Sequence, residues 1–232
     1  MSKFIADFFP NVANYWDIFL TALTATYQMF FIAGLITLLI GGAFGISLIV
    51  TKTDGIKPNR IIHFILEVIT NVFRAVPFII LLIFLIPLTR SIAGTSIGVK
   101  GAVVPLVFGA VPFYTRQVET ALADVNPGKI EAARSMGSSI PGIIFRVYLH
   151  EALPDLIRVT TITAISLIGL TTSAGAVGAG GIGSFAINYG QNLHYQDVVN
   201  LCVILLLIIV SLIQLLGNTL SKATTNKELF HK

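Results

Sequence analysis

Residues 198–220 read VVNLCVILLLIIVSLIQLLGNTL, a continuous apolar run. An α-helix rises about 1.5 Å per residue, so roughly 20 such residues cross the ~30 Å hydrocarbon core of a bilayer. Four further stretches share this character: about Phe19–Val50, interrupted only by small and hydroxyl residues and Gln28, then about Ile61–Leu88, Val99–Val118 and Leu156–Val177. Continuous runs, rather than short alternating strands, predict helices and not a β-barrel. The expectation is an all-α membrane protein of about five transmembrane helices.

Composition agrees. The chain is 55% hydrophobic and 11% charged, with a mean hydropathy of +0.86, whereas a soluble domain carries about 25% charged residues. The net charge of +4 does not point to nucleic acid, because the Lys and Arg lie between apolar runs and form no basic stripe. They set orientation instead. Lys52, Lys57 and Arg60 follow the first run. Lys129, Arg134 and Arg146 follow the third, with Arg116 and Arg158 at its margins, and Lys222, Lys227 and Lys232 follow the fifth. The opposite side holds only Lys3, Arg90 and Lys100. With the positive side cytoplasmic, the amino terminus is expected outside and the carboxyl terminus inside. The expected organisation is an extracytoplasmic segment leading into the first span at 1–22, a transmembrane domain at 23–215 with a cytoplasmic connection at about 120–155, and a cytoplasmic tail at 216–232. Met1–Trp16 has no apolar stretch long enough for a cleavable signal peptide.

The second run is too long for one perpendicular crossing, since its ~28 residues would reach ~42 Å. Glu67, Asn71 and Arg74 share one helical face in its first half, and Pro77 interrupts the helix. An amphipathic first half, followed by the true span from about Ala75, is the expected arrangement. Charges within a membrane are functional by default, because exposing one to lipid costs at least ~2.5 kcal/mol. A solvated or ion-paired face is the plainer account of Glu67 and Arg74.

The cytoplasmic connection carries the most specific pattern. Asn126-Pro127-Gly128 is a turn, Lys129–Met136 favours helix, and Gly137 ends it. Glu131-Ala132-Ala133, then Gly137, then Val147-Tyr148-Leu149 resembles the EAA loop of ABC importer permeases: E-A-A, three residues, G, nine residues, I-x-L-P. The final proline of that pattern falls on His150, with Leu153-Pro154 shortly after. A short helix with a small Ala132/Ala133 face suits close seating in a partner's groove, and Gly137 permits a sharp turn.

The resemblance extends to Phe73–Leu82 (FRAVPFIILL), Gly94–Gly98 (GTSIG) and Gly175–Gly181 (GAVGAGG), which look like the methionine importer permeases. It covers about Ala22–Leu215. It implies a type I ABC importer permease fold in the bacterial inner membrane, working as a homodimer with two ATPase subunits and an extracytoplasmic substrate-binding lipoprotein. It implies transport of methionine, L- and D-forms included, or of another amino acid. Glu131, Ala132, Ala133, Arg134, Met136 and Gly137 become the ATPase-coupling residues. ATP and Mg belong to the partner ATPase; the chain itself contains no G-x-x-x-x-G-K-[S/T] and is expected to bind no cofactor.

Other residues give weaker signals. Thr171, Thr172 and Ser173, placed near mid-membrane in the fourth run, are candidate pathway or gate residues, or else bond their own helix's carbonyls. Gly41 with Gly45, and Gly175 with Gly178 and Gly180, form small-residue patterns that permit close helix packing; the latter stretch also suits a dimer interface or pathway. Gly178-x-Gly180-x-x-Gly183 matches a dinucleotide fingerprint only formally, lacking the preceding strand and the later acid. Cys202 lies in an apolar run and reads as packing. The four histidines have no second ligand at metal spacing. A secondary transporter would require coupling-ion sites and commonly inverted repeats, and a membrane enzyme a converging catalytic set; neither is found.

Overall fold

Helix begins where the apolar runs begin. The computed structural model describes residues 8–229, with side chains through Thr225; Lys3 and the rest of 1–7, Phe230–Lys232 and the side chain of Lys227 lie outside the described residues. Four helices are long and apolar enough to cross a membrane: Trp16–Thr51, Gly98–Ala123, Leu153–Gly175 and Gln196–Thr225. They become five if the broken pair Arg60–Ala75 and Phe78–Phe84 counts as one span. The last helix continues without interruption to Leu229, so the expected tail at 216–232 is helical as far as it is described.

The second run differs from the single span expected from about Ala75. Helix Arg60–Ala75 stops two residues before Pro77, Pro77 caps Phe78–Phe84, and a further helix, Ile86–Ala93, begins after Leu85. Pro87 explains the second break: it has no N–H to give the Ile83 carbonyl. Helix Arg60–Ala75 is amphipathic with its apolar side outward. Ile61, Phe64, Ile65, Val68 and Val72 are exposed, while Thr70 is buried and Glu67 half-buried. His63 Nδ1 lies 3.1 Å from the Leu48 carbonyl oxygen, so that nitrogen carries the proton. His63, Glu67 and Thr70 turn inward, while Arg60, Asn71 and Arg74 are exposed beside the apolar positions.

The chain divides into two units. The first holds the described residues through Leu35, with Val76–Gly109 and Ala164–Ile213. Its core gathers Val12, Phe19, Ala22, Ile182, Phe185, Val198 and the free Cys202. Tyr15 meets Tyr189 at a tilt with centroids 4.8 Å apart, and Phe185 stacks on Tyr189 at 5.2 Å and meets Phe19 at 5.6 Å. The short helix Pro10–Asn14 is held by Asn11, whose backbone N–H and side-chain amide both donate to the Asp197 carboxylate, at 3.0 and 2.9 Å. A turn joins Gly175 to Gly181, and Gly178 accepts a bond from the Gly98 N–H at 3.0 Å. Gly181 lies against helix Trp16–Thr51, where an added Cβ would sit 2.7 Å from Thr26 Oγ1. Thr26 Oγ1 in turn accepts from the Ile182 N–H at 2.9 Å.

The second unit holds Ile36–Ala75, Ala110–Thr163 and the described residues from Gln214. Its core contains Ile49, Val50, Tyr114, Val118, Leu122, Ala133, Ile143 and Tyr148. Helix Trp16–Thr51 and helix Gly98–Ala123 touch backbone to side chain at Gly41 and Gly45. An ideal Cβ on Gly45 would lie 2.7 Å from Val118 Cβ and 2.8 Å from the Thr115 carbonyl. Tyr114 Oη and Thr160 Oγ1 share a 2.8 Å bond, and Ser221 donates to the Pro154 carbonyl at 3.1 Å, tying the start of helix Leu153–Gly175 and the end of helix Gln196–Leu229 into this unit.

Candidate functional site

The cytoplasmic connection builds an exposed, firmly seated helix from local chemistry. Pro127 stands in the first turn of helix Pro127–Ser135, where no N–H is needed, and the Asn126 side chain accepts from the Gly128 N–H at 2.8 Å. Ile130 and Ala133, three residues apart, face the second unit's core. Glu131, Ala132, Arg134 and Met136 face outward, Met136 being 78% exposed. Gly137 takes φ 76°, its N–H donating to Arg134 O at 2.9 Å, while the Ser138 N–H donates to Ala133 O at 3.0 Å. This pair of bonds is the Schellman cap that a left-handed glycine permits. Lys129 pairs with Glu151, fastening the helix to the segment that leads into Leu153–Gly175.

One expectation is corrected here. Ala132 and Ala133 do not form one outward face: successive helical residues lie about 100° apart, and Ala133 is only 5% exposed, inside the chain's own core. The outward surface is Glu131, Ala132, Arg134 and Met136. His150, where the resembled pattern has proline, sits in the short helix Leu149–Glu151, and Pro154 opens the following long helix.

Beyond Gly137 the chain forms an open groove of about 360 Å³ lined by Ser138, Ser139, Pro141, Gly142, Phe145, Arg146 and Val147. Ser139 caps Ile140–Ile143, and residues 144–148 widen into a π-helix. Tyr148 is buried beneath it; burial pushes its phenol above the ordinary value, and the Asp54 carboxylate adds to the shift.

Thr171, Thr172 and Ser173 are in the last turns of helix Leu153–Gly175. Thr171 and Thr172 donate to Ile168 O at 2.7 and 3.0 Å, and Ser173 donates to Gly169 O at 3.1 Å. These are back-bonds within one helix, and Thr171 is buried. Gly175 does serve close packing, but against the helix that follows in the same chain, where its Cβ would meet Ser184 N at 2.5 Å. Gly178 and Gly180, expected as helix-packing positions, stand in the turn at φ 89° and 79°, with nothing within 4 Å of an added Cβ. They supply backbone conformation rather than contact with another helix of the same chain.

Sequence reasoning missed one polar cluster. Arg116 Nη1 donates to Glu119 Oε2 at 2.6 Å, and Nη2 to Asn71 Oδ1 at 2.9 Å. The i, i+3 spacing of Arg116 and Glu119 was legible; their link to Asn71 was not.

Comparison with known proteins fits this geometry. The family described as "Binding-protein-dependent transport system inner membrane component" matches residues 41–226. The chain is 38% identical to the probable D-methionine transport system permease protein MetI of Vibrio cholerae, over 91% of this chain and 94% of that protein. It is 41% identical to the methionine import system permease protein MetP of Bacillus subtilis, over 75% of this chain and 78% of that one. A chain of the inward-facing MetNI methionine ABC transporter superposes with a TM-score of 0.88 at 41% identity, covering 91% of this chain and 98% of that chain. The chain is therefore a multi-pass membrane protein with the type I ABC importer permease fold, and it belongs to the family of binding-protein-dependent transport system inner membrane components.

Proposed function

We propose that this chain is the membrane-spanning subunit of an ATP-driven importer that takes up methionine, in L- and D-forms. It works as a homodimer with two ATPase subunits and receives substrate from an extracytoplasmic binding lipoprotein. The names and the transporter structure of its relatives support the substrate and the assembly. The amino terminus lies outside and the carboxyl terminus inside, in line with the distribution of Lys and Arg. ATP and Mg act on the ATPase, and this chain converts the ATPase's motion into a change of access.

The observation that carries the reading is the helix Pro127–Ser135. It presents Glu131, Ala132, Arg134 and Met136 outward, while Ala133 anchors it in the chain's core and the surface pair Lys129–Glu151 ties it to the segment that follows. A push on such a helix moves the packed core with it, because close-packed interiors transmit displacement rather than absorb it.

The test is co-purification of the tagged chain with its ATPase. Glu131→Lys and Ala132→Arg alter exposed positions, so they leave the fold intact. The wild type retains the ATPase and both variants lose it. Retention by both variants at the wild-type level contradicts the assignment of this helix as the docking surface.

A further inference from the structure

Arg116 stands deeper in its helix than most charges of the long helices: Asp17, Lys100, Asp155, Arg158 and Asp197 all lie within five residues of an end. Arg116 lies seven residues before the end of helix Gly98–Ala123, about 10 Å along the axis, in a helix of 26 residues. That length of about 39 Å exceeds the ~30 Å hydrocarbon core by too little to carry Arg116 clear of it at the centre of a crossing. Arg116 is 26% and Glu119 16% exposed, so neither side chain is fully enclosed by its own chain.

The pair is incompletely used. A guanidinium has five N–H donors and a carboxylate two acceptor oxygens. Among the described residues, Arg116 commits one donor to Glu119 Oε2 and one to Asn71 Oδ1. Three guanidinium donors and Glu119 Oε1 remain for another molecule. A cation and an anion side by side, each with spare capacity, are complementary to a molecule carrying a carboxylate and an ammonium on one carbon. Arg recognises carboxylates by a planar two-bond fork.

We propose that Arg116 and Glu119, with Asn71 orienting the guanidinium, form a site in the permease for the zwitterionic end of an amino acid in transit. The inference rests on the amino-acid importer reading and adds a residue-level substrate site to it. The substrate carboxylate is taken by Arg116 and the ammonium by Glu119, opening their mutual bond and exchanging one ion pair for two. Asn71 keeps the Arg116 side chain extended when Glu119 turns to the substrate.

Equilibrium dialysis of the detergent-purified permease–ATPase complex, without binding lipoprotein, tests it with methionine, methionine methyl ester and N-acetylmethionine. The wild type is expected to bind methionine at least tenfold more tightly than either derivative. Arg116→Gln and the charge-keeping Arg116→Lys bring methionine toward the ester, and Glu119→Gln brings it toward the acetylated compound. A purely structural ion pair weakens all three ligands alike in every variant. That uniform loss, an unchanged preference, or no methionine binding by the wild type overturns the proposal. Wild-type complex reconstituted with the binding lipoprotein is assayed in parallel for ATP-dependent methionine uptake. Absence of that uptake overturns the importer reading separately, while the dialysis still decides the site.

Discussion

Replacing Gly45 by Ala puts one methyl group where the structure has no room for it. The new Cβ would lie 2.7 Å from Val118 Cβ and Cγ1 and 2.8 Å from the Thr115 carbonyl oxygen, against ordinary contact distances of about 3.5–4.0 Å. A rotamer change of Val118 removes only the Cγ1 clash, because its Cβ and the Thr115 carbonyl belong to the helix framework. The two helices must therefore part by up to ~1 Å, and overpacking of this kind costs about 1–3 kcal/mol. Gly42 is the internal control: its Cβ would meet Tyr114 Cε1 at 3.9 Å, an ordinary contact, so Gly42→Ala is expected within ~0.5 kcal/mol of wild type. For a chain of this length each kcal/mol moves the midpoint by about 2–4 °C. Gly45→Ala should then lose about 2–12 °C, read as the fraction remaining monodisperse on gel filtration after heating in detergent. Adding Val118→Ala to Gly45→Ala should restore only part of the loss, since the Cβ and carbonyl contacts persist. A midpoint for Gly45→Ala no lower than that of Gly42→Ala would refute the close helix approach.

Other outcomes follow from single contacts. At Gly137, where φ is 76° and nothing lies within 4 Å of a new Cβ, Ala and Leu should be equally costly, about 1–2 kcal/mol, with Asn milder. Thermal midpoints that scale with side-chain size would contradict this. Thr26→Val leaves the buried Ile182 N–H without its acceptor and should cost about 1–3 kcal/mol, while Thr26→Ser should be close to wild type in the same assay. Tyr148 should ionise above the ordinary tyrosine range, because burial and then Asp54 favour the neutral phenol. A raised folded-state pKa stabilises the protein fully below the unfolded value near ~10, and that stability is lost as pH rises through the folded pKa. Ultraviolet difference titration against Tyr148→Phe checks it, and Asp54→Asn should lower the transition.

Much of this architecture was legible in the order of residues, for reasons that can be named. Long apolar runs leave a chain few options in lipid, so the first, third and fourth runs form helices close to their expected bounds, while the fifth starts as expected but continues to Leu229. Asn126-Pro127 and Gly137 delimit helix Pro127–Ser135 because N-caps, first-turn prolines and left-handed glycines act within a few residues. Features that depend on which face meets which partner were hidden. Nothing local distinguishes Ala132, outward, from Ala133, in the core. Gly175, Gly178 and Gly180 looked alike as small residues, yet one packs and two turn. The hydroxyls of Thr171–Ser173 found acceptors in their own helix, one of the two alternatives that the sequence left open. Pro87 was a readable break in the second run; its effect was masked by the longer-range signal of hydropathy.

The central claim is ATP-driven methionine import through this chain, coupled at Glu131–Gly137. It is tested most directly in proteoliposomes holding the permease and its ATPase, with ATP inside or outside according to orientation and labelled methionine delivered by the binding lipoprotein. The account predicts accumulation that requires ATP hydrolysis and falls to background with Glu131→Lys. Methionine accumulation that is unchanged without ATP, or unchanged by Glu131→Lys, would contradict it.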